Sequence, residues 1–177
     1  MTFEERVETA ALERRAEQTA IRVPLQKLTR DMVKAGEALS TGEARFLVDS
    51  YYTMQEGRIR SNNQIRALTE SGEPHDILQW LSVENRVLED SIKLALDIYS
   101  LTHPFGSRMR NVVGVGPVIA AGLLAHIDIT RATTAGAIWR YAGLDPTSEW
   151  KKGEKRPFNA SLKTLCWKLG ESQKVCR

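Results

Sequence analysis

Residues 75–102, HDILQWLSVENRVLEDSIKLALDIYSLT, contain neither glycine nor proline. Within them Ile77, Trp80, Leu81, Leu88, Ile92, Leu96 and Tyr99 recur at three- and four-residue steps, with charged residues between. That period lines one face of an α-helix and cannot serve a strand, whose faces alternate every second residue. No other stretch alternates cleanly in twos, so a large sheet is not expected. The expected fold class is all-α: long N-terminal helices, antiparallel or coiled-coil-like, followed by a small helix-hairpin-helix domain.

Punctuation divides the rest of the chain. Residues 2–22 lack glycine and proline, are rich in Glu, Arg and Ala, and read as a helix that Pro24 ends. A second short helix is expected over 25–39. Ser40 or Thr41 supplies an N-cap, with Glu43 in the first turn, for a long helix reaching about Leu68. "ESGEP" at 70–74 breaks it, and "THPFGS" at 102–107 closes the helix that follows. The chain is therefore read as a helical arm over 1–105 and a compact domain over 106–177.

Composition narrows the function classes. Of 177 residues, 42% are hydrophobic and 27% charged, which is a globular balance rather than a disordered one. No uncharged apolar run is long enough to span a membrane. The charged N-terminus is not a secretory signal. Cys166 and Cys176 alone form no disulfide framework, which points to a reducing, cytoplasmic setting. His75, His103 and His126 are scattered and read as structural, so no metal and no cofactor is expected.

The net charge of +3 conceals an asymmetry. Residues 1–107 carry 13 Lys+Arg against 17 Asp+Glu, a net of −4, whereas residues 108–177 carry 12 against 5, a net of +7. A basic C-terminal third suits a polyanionic partner.

The motif in that third is "VVGVGPVIAAGLL", residues 112–124. Pro117 stands where a helix should begin, since proline is tolerated at the first helical position. Gly114 and Gly116 permit positive φ and remove side chains that would hold a ligand off. Amides in the first turn of the following helix then face outward, with the positive end of its dipole behind them. Gly114, Val115, Gly116, Val118 and Ile119 are the expected phosphate-binding positions. Ala121 and Gly122 are expected to let this helix pack closely on the preceding one. A second cationic element follows: Lys151, Lys152, Lys155 and Arg156, in a loop that Gly153 and Pro157 keep non-helical. Trp150 and Phe158 flank it, suited either to stacking on unpaired bases or to anchoring the loop. Trp139, Leu144, Leu162, Leu165 and Trp167 are expected to form the core.

"RMRNVVGVGPVIAAGLLAHID", "AGAIWRYAGLDP", the basic loop and "NASLKTLCWKLGES" together resemble the C-terminal domain of IS110-type insertion-sequence transposases and Piv-type DNA invertases. The resemblance covers about 108–172. It implies a mobile-element or phage origin, DNA as partner, and a coiled coil at 75–102. Two departures stand out. The family's N-terminal RNase-H-like domain with four metal-binding acids has no counterpart in 1–107. The family's catalytic serine, about five residues past the box proline Pro146, corresponds here to Lys151; Ser148 is the nearby hydroxyl in the place of a nucleophile.

Three functions compete at this level. One is a DNA- or RNA-binding protein that self-associates through its N-terminal helices. Another is a reduced recombinase using Ser148; a glycosylase using Asp145 is its variant. The third is an interaction protein in which the glycine bend only packs helices.

Overall fold

The computed structural model describes residue 31, residues 33–73 and residues 76–176; the helix expected at 2–22 lies outside them. Residues 33–37 are helical. Among the described residues there is no strand.

Helix α1 spans Thr41–Ser71. It starts with a capping box: Glu43 N–H donates to Ser40 Oγ (3.2 Å), and Ser40 N–H donates to Glu43 Oε2 (2.9 Å). The bonds from Ser40 hold the Glu43 carboxyl below the usual carboxylate range. The helix ends at Gly72 in the left-handed region, where Glu73 N–H closes onto Leu68 O (3.0 Å).

Helix α2 spans Asp76–Thr102 and returns antiparallel to α1. Arg58 pairs with Glu89, and Asn62 with Ser82, so partner numbers fall on one helix as they rise on the other. Glu89 is buried and takes two bonds from Arg58, Nε to Oε1 at 2.6 Å and Nη2 to Oε2 at 3.1 Å. A buried carboxylate without its cation is costly, so this pair fixes the register of the two helices.

After the short α3 (Gly106–Arg110), α4 spans Pro117–His126. Every residue from Val118 to Ala125 is buried. A helix apolar on all sides must be enclosed on all sides, and α4 packs against α1, α2, α3 and the last helix, α6. Ala44 and Val48 of α1, Leu96 and Tyr99 of α2, and Leu162 and Leu165 of α6 share one core with it.

Helix α5 spans Ala135–Tyr141 and buries none of its residues. Helix α6 spans Ala160–Val175, with Asn159 as its N-cap through Leu162 N–H (3.0 Å). Three juxtapositions show that α4 and α6 run antiparallel: Gly114 beside Gln173, Gly122 beside Leu165, and His126 beside Asn159.

Two expectations about packing are corrected. Gly122 makes room for Leu165 of α6 and Val48 of α1 rather than for the helix just before it. Of the five expected core residues only Leu162 and Leu165 are buried; Trp139, Leu144 and Trp167 are exposed. Trp167 sits two residues from Leu165, hence about 200° around α6, on the face turned away from the core.

Candidate nucleic-acid interface

The glycine bend joins α3 to α4, and its two glycines have different surroundings. Gly114 has φ +83°, and a Cβ there would lie 2.8 Å from Gln173 Cγ and 3.1 Å from the Gln173 backbone. Its lack of a side chain is required by the fold. Gly116 is extended (φ −79°, ψ 175°), and a Cβ there would meet nothing within 4 Å. Packing places no demand for glycine at 116.

The donors of the bend divide as well. Val115 N–H is bonded to Val112 O at 3.0 Å and so is not free. The N–H groups of Gly114, Gly116, Val118 and Ile119 donate to no acceptor among the described residues, and no side chain caps α4. The glycines are half-buried, while Val115, Val118 and Ile119 turn their side chains into the core.

Arg110 braces this bend and was not singled out from sequence. Its Nη1 donates to Val115 O (3.2 Å), and its Nη2 lies 3.0 Å from Asp97 Oδ1, a charge contact whose geometry falls short of a hydrogen bond. Arg108, two residues earlier on α3, is exposed. The Arg-x-Arg spacing immediately before the bend was the available signal for both.

Lys151, Lys152, Lys155 and Arg156 are all exposed on one loop. The loop closes on itself: Glu154 N–H donates to Lys151 O (3.2 Å), Lys151 N–H to Glu154 Oε2 (3.4 Å), and Gly153 takes φ +101°. Trp150 Nε1 donates to Glu154 O (2.8 Å), and the Arg156 guanidinium sits over its ring at 5.3 Å. Phe158 packs against Gly143, with Lys163 above its ring at 4.7 Å. Both aromatics therefore hold the loop and its flanks in shape.

Ser148 lies exposed on the turn after the AGLDP box, its N–H bonded to Asp145 O at 3.2 Å. No hydrogen bond from its hydroxyl to a base exists among the described residues, whereas an activated serine nucleophile needs one within reach. Asp145 accepts from Thr147 Oγ1 (2.6 Å) and N–H (2.9 Å), and Arg140 Nε lies 3.4 Å away. Those bonds, Thr147 first, hold its carboxyl below the usual range.

Asn159 connects the basic-loop end of the molecule. Its N–H donates to Tyr141 O (2.8 Å), and its side-chain nitrogen lies 3.0 Å from Tyr141 Oη and 3.2 Å from His126 Nδ1. Burial, with the Arg45 charge second, pushes the His126 imidazole below its ordinary value. Arg45 Nε meanwhile satisfies Ala125 O near the end of α4 (2.8 Å).

The antiparallel packing of α4 on α6 sets the distance between the two cationic elements. Gly114 lies at Gln173, near the end of α6, whereas Lys151 to Arg156 precede its beginning. Fourteen residues of helix separate Asn159 from Gln173, roughly 20 Å at 1.5 Å per residue. The bend and the start of α6, into which the basic loop leads, are at opposite ends of the helix pair.

No group of three or more His, Cys, Asp or Glu residues that could hold a metal occurs among the described residues. No described helix is long and apolar enough to cross a membrane.

No curated protein and no solved structure matches the chain. Residues 106–156 match the family model described as the transposase IS116/IS110/IS902 family. The match opens at the first residue of α3 and closes at the last cation of the basic loop, so it takes in the glycine bend, α4, α5 and the AGLDP box. Through that segment the chain is similar to the transposase IS116/IS110/IS902 family.

Proposed function

We propose that this chain binds DNA as a transposase-related protein, gripping the sugar-phosphate backbone at two places without reading bases. The bend offers the N–H groups of Gly114, Gly116, Val118 and Ile119 together with the positive end of α4. Lys151, Lys152, Lys155 and Arg156 offer mobile charge on the loop before α6, and Arg108 adds to the bend. In this reading residues 106–177 are the binding module and the α1–α2 pair is the arm that carries it.

The observation that supports this most is the contrast at Gly116. Neither backbone conformation nor packing calls for glycine there, while the neighbouring amides lack internal partners. A site that must admit a phosphate oxygen to hydrogen-bond distance calls for both features.

Gel shifts on linear duplex, branched and single-stranded DNA, with RNA of the same sequence alongside, test the proposal. Wild-type protein should retard DNA, Gly116→Asp should lose the shift, and Lys151→Glu/Lys152→Glu should weaken it on every substrate. Wild-type affinity in both variants, or a shift confined to RNA, would overturn it.

A further inference from the structure

We infer that the cleft between the start of α1, the α2–α3 turn and α5 binds a nucleotide, with the base against aromatic rings and the phosphate on guanidinium groups. The cleft measures about 770 Å³, inside the range of roughly 300–1,000 Å³ typical of small-molecule sites. It follows from the fold: α5 buries none of its residues and leaves a gap beside the end of α4 and the turn after it.

Two kinds of side chain line this space. Phe105 and Tyr141 are 43% and 44% exposed, and both face the cleft rather than the core. Open aromatic rings beside cations suit a stacked base. Arg45 and Arg131 supply the cations. Arg45 Nε donates to Ala125 O (2.8 Å), which anchors its guanidinium at the end of α4. Neither the Nη groups of Arg45 nor the Arg131 guanidinium has a hydrogen-bond or ion-pair partner among the described residues. Guanidinium groups with unused donors match phosphate oxygens. Asp128, the one acid among the described lining residues, already accepts from Thr130 Oγ1 (2.6 Å) and N–H (3.0 Å).

Bonds behind the cleft decide where its neutral polar groups hold their protons. Asn159 Oδ1 accepts from Leu162 N–H (3.0 Å), which fixes the other amide atom as the nitrogen. That nitrogen donates to His126 Nδ1 (3.2 Å) and to Tyr141 Oη (3.0 Å). Burial favours the neutral His126 ring, which then carries its proton on Nε2. Tyr141 keeps its own hydroxyl proton to donate. Two cations and two further donors thus line one aromatic-walled space, an arrangement for a flat ring bearing acceptor oxygens. None of these residues belongs to the glycine bend or the basic loop. The chemistry is the same for a free nucleoside monophosphate and for an unpaired nucleotide at the end of a strand. Only the second source rests on the proposed DNA binding.

Isothermal titration of the full chain with deoxyadenosine 5′-monophosphate, deoxyadenosine and inorganic phosphate tests the site. The monophosphate should bind with Kd below about 1 mM, and each fragment at least about tenfold more weakly, since each engages part of the site. Ala137→Trp fills the cleft from an exposed position on α5 and should abolish binding with unchanged helical circular dichroism. Arg131→Ala removes an exposed side chain and should weaken the monophosphate about tenfold; it decides the question even if the tryptophan variant fails to fold. No monophosphate binding, equal affinity for inorganic phosphate, or wild-type affinity in either folded variant would overturn the inference. Competition then separates the sources. Displacement of the monophosphate by a duplex with one unpaired 3′ nucleotide, but not by its blunt form, assigns the strand, and displacement by neither assigns the free nucleotide. Equal displacement by both would put the monophosphate on the backbone grip and overturn the cleft. Protein that takes up the monophosphate yet shifts no DNA keeps the cleft and loses the DNA reading, and the reverse result keeps only the DNA reading.

Discussion

Gly114 lies directly against Gln173: a methyl group at 114 would come within 3.1 Å of the Gln173 main chain, on a backbone with φ +83°. Two residues later the same loop has open space beside Gly116. Gly114→Ala should lower stability by about 2 kcal/mol, combining left-handed strain with a forced shift of α6. Gly116→Asp should stay within about 0.5 kcal/mol of wild type, because it touches nothing, yet lose at least about tenfold in DNA affinity. Urea unfolding and gel shift on the same preparations check the pair. Equal destabilisation by both would mean that the two glycines serve one structural purpose.

Glu89 is 5% exposed, and among the described residues its ion-pair partner is Arg58. Removing it by Glu89→Ala leaves a mostly buried guanidinium unpaired, which should cost about 3 kcal/mol. The exposed Lys174–Glu171 pair is just as short, at 2.6 Å. Lys174→Ala should nonetheless shift stability by less than about 1 kcal/mol, since water screens that pair. Similar losses from both would show that burial is not what gives the first pair its weight.

His126 has a folded-state pKa below its ordinary value of about 6.5. The neutral ring is therefore favoured by folding. Its contribution to stability is fully present above pH 6.5 and declines as pH falls toward the lowered value, because the unfolded chain takes up the proton first. Melting temperature should drop between pH 7.5 and pH 5, and His126→Asn should reduce that drop. An identical pH profile for the variant would mean that other groups govern it.

Ser148 lies on an exposed turn, and its hydroxyl has no hydrogen-bond partner among the described residues. Ser148→Ala should bind DNA with wild-type affinity and melt at the wild-type temperature. A loss of DNA strand transfer by this variant, in an assay where wild type performs it, would instead assign Ser148 a catalytic role.

Much of this was legible in the sequence because the signals were local. Ser40 with Glu43 announced the start of α1, Gly72 its end, and Pro117 the first turn of α4; each depends on a few neighbouring residues. The core was less legible. Residue type alone turns Trp139 and Trp167 inward, but the inward face of α6 is set by Leu162, Leu165 and Leu169, and α5 buries none of its residues. The neighbours of Gly122, Leu165 and Val48, are far away in the chain, so its sequence surroundings do not reveal them. For the same reason the placement of the bend and the start of α6 at opposite ends of a helix pair could not be read. It depends on α6 returning antiparallel to α4, with Asn159 tied to His126 and Tyr141. The task of Arg110, bracing Val115 O, exists only once the bend has closed, so nothing local in the sequence announces it.

The salt dependence of DNA affinity tests the account most directly. Each phosphate neutralised contributes about −0.9 to the slope of log Kobs against log salt, so four contacts give a slope near −3.6. Wild-type protein should reach at least that value. Lys151→Glu/Lys152→Glu should flatten the slope by about two contacts, whereas Gly116→Asp should lower affinity at every salt concentration. A wild-type slope near zero, or no binding at low salt, would contradict the two-ended phosphate grip.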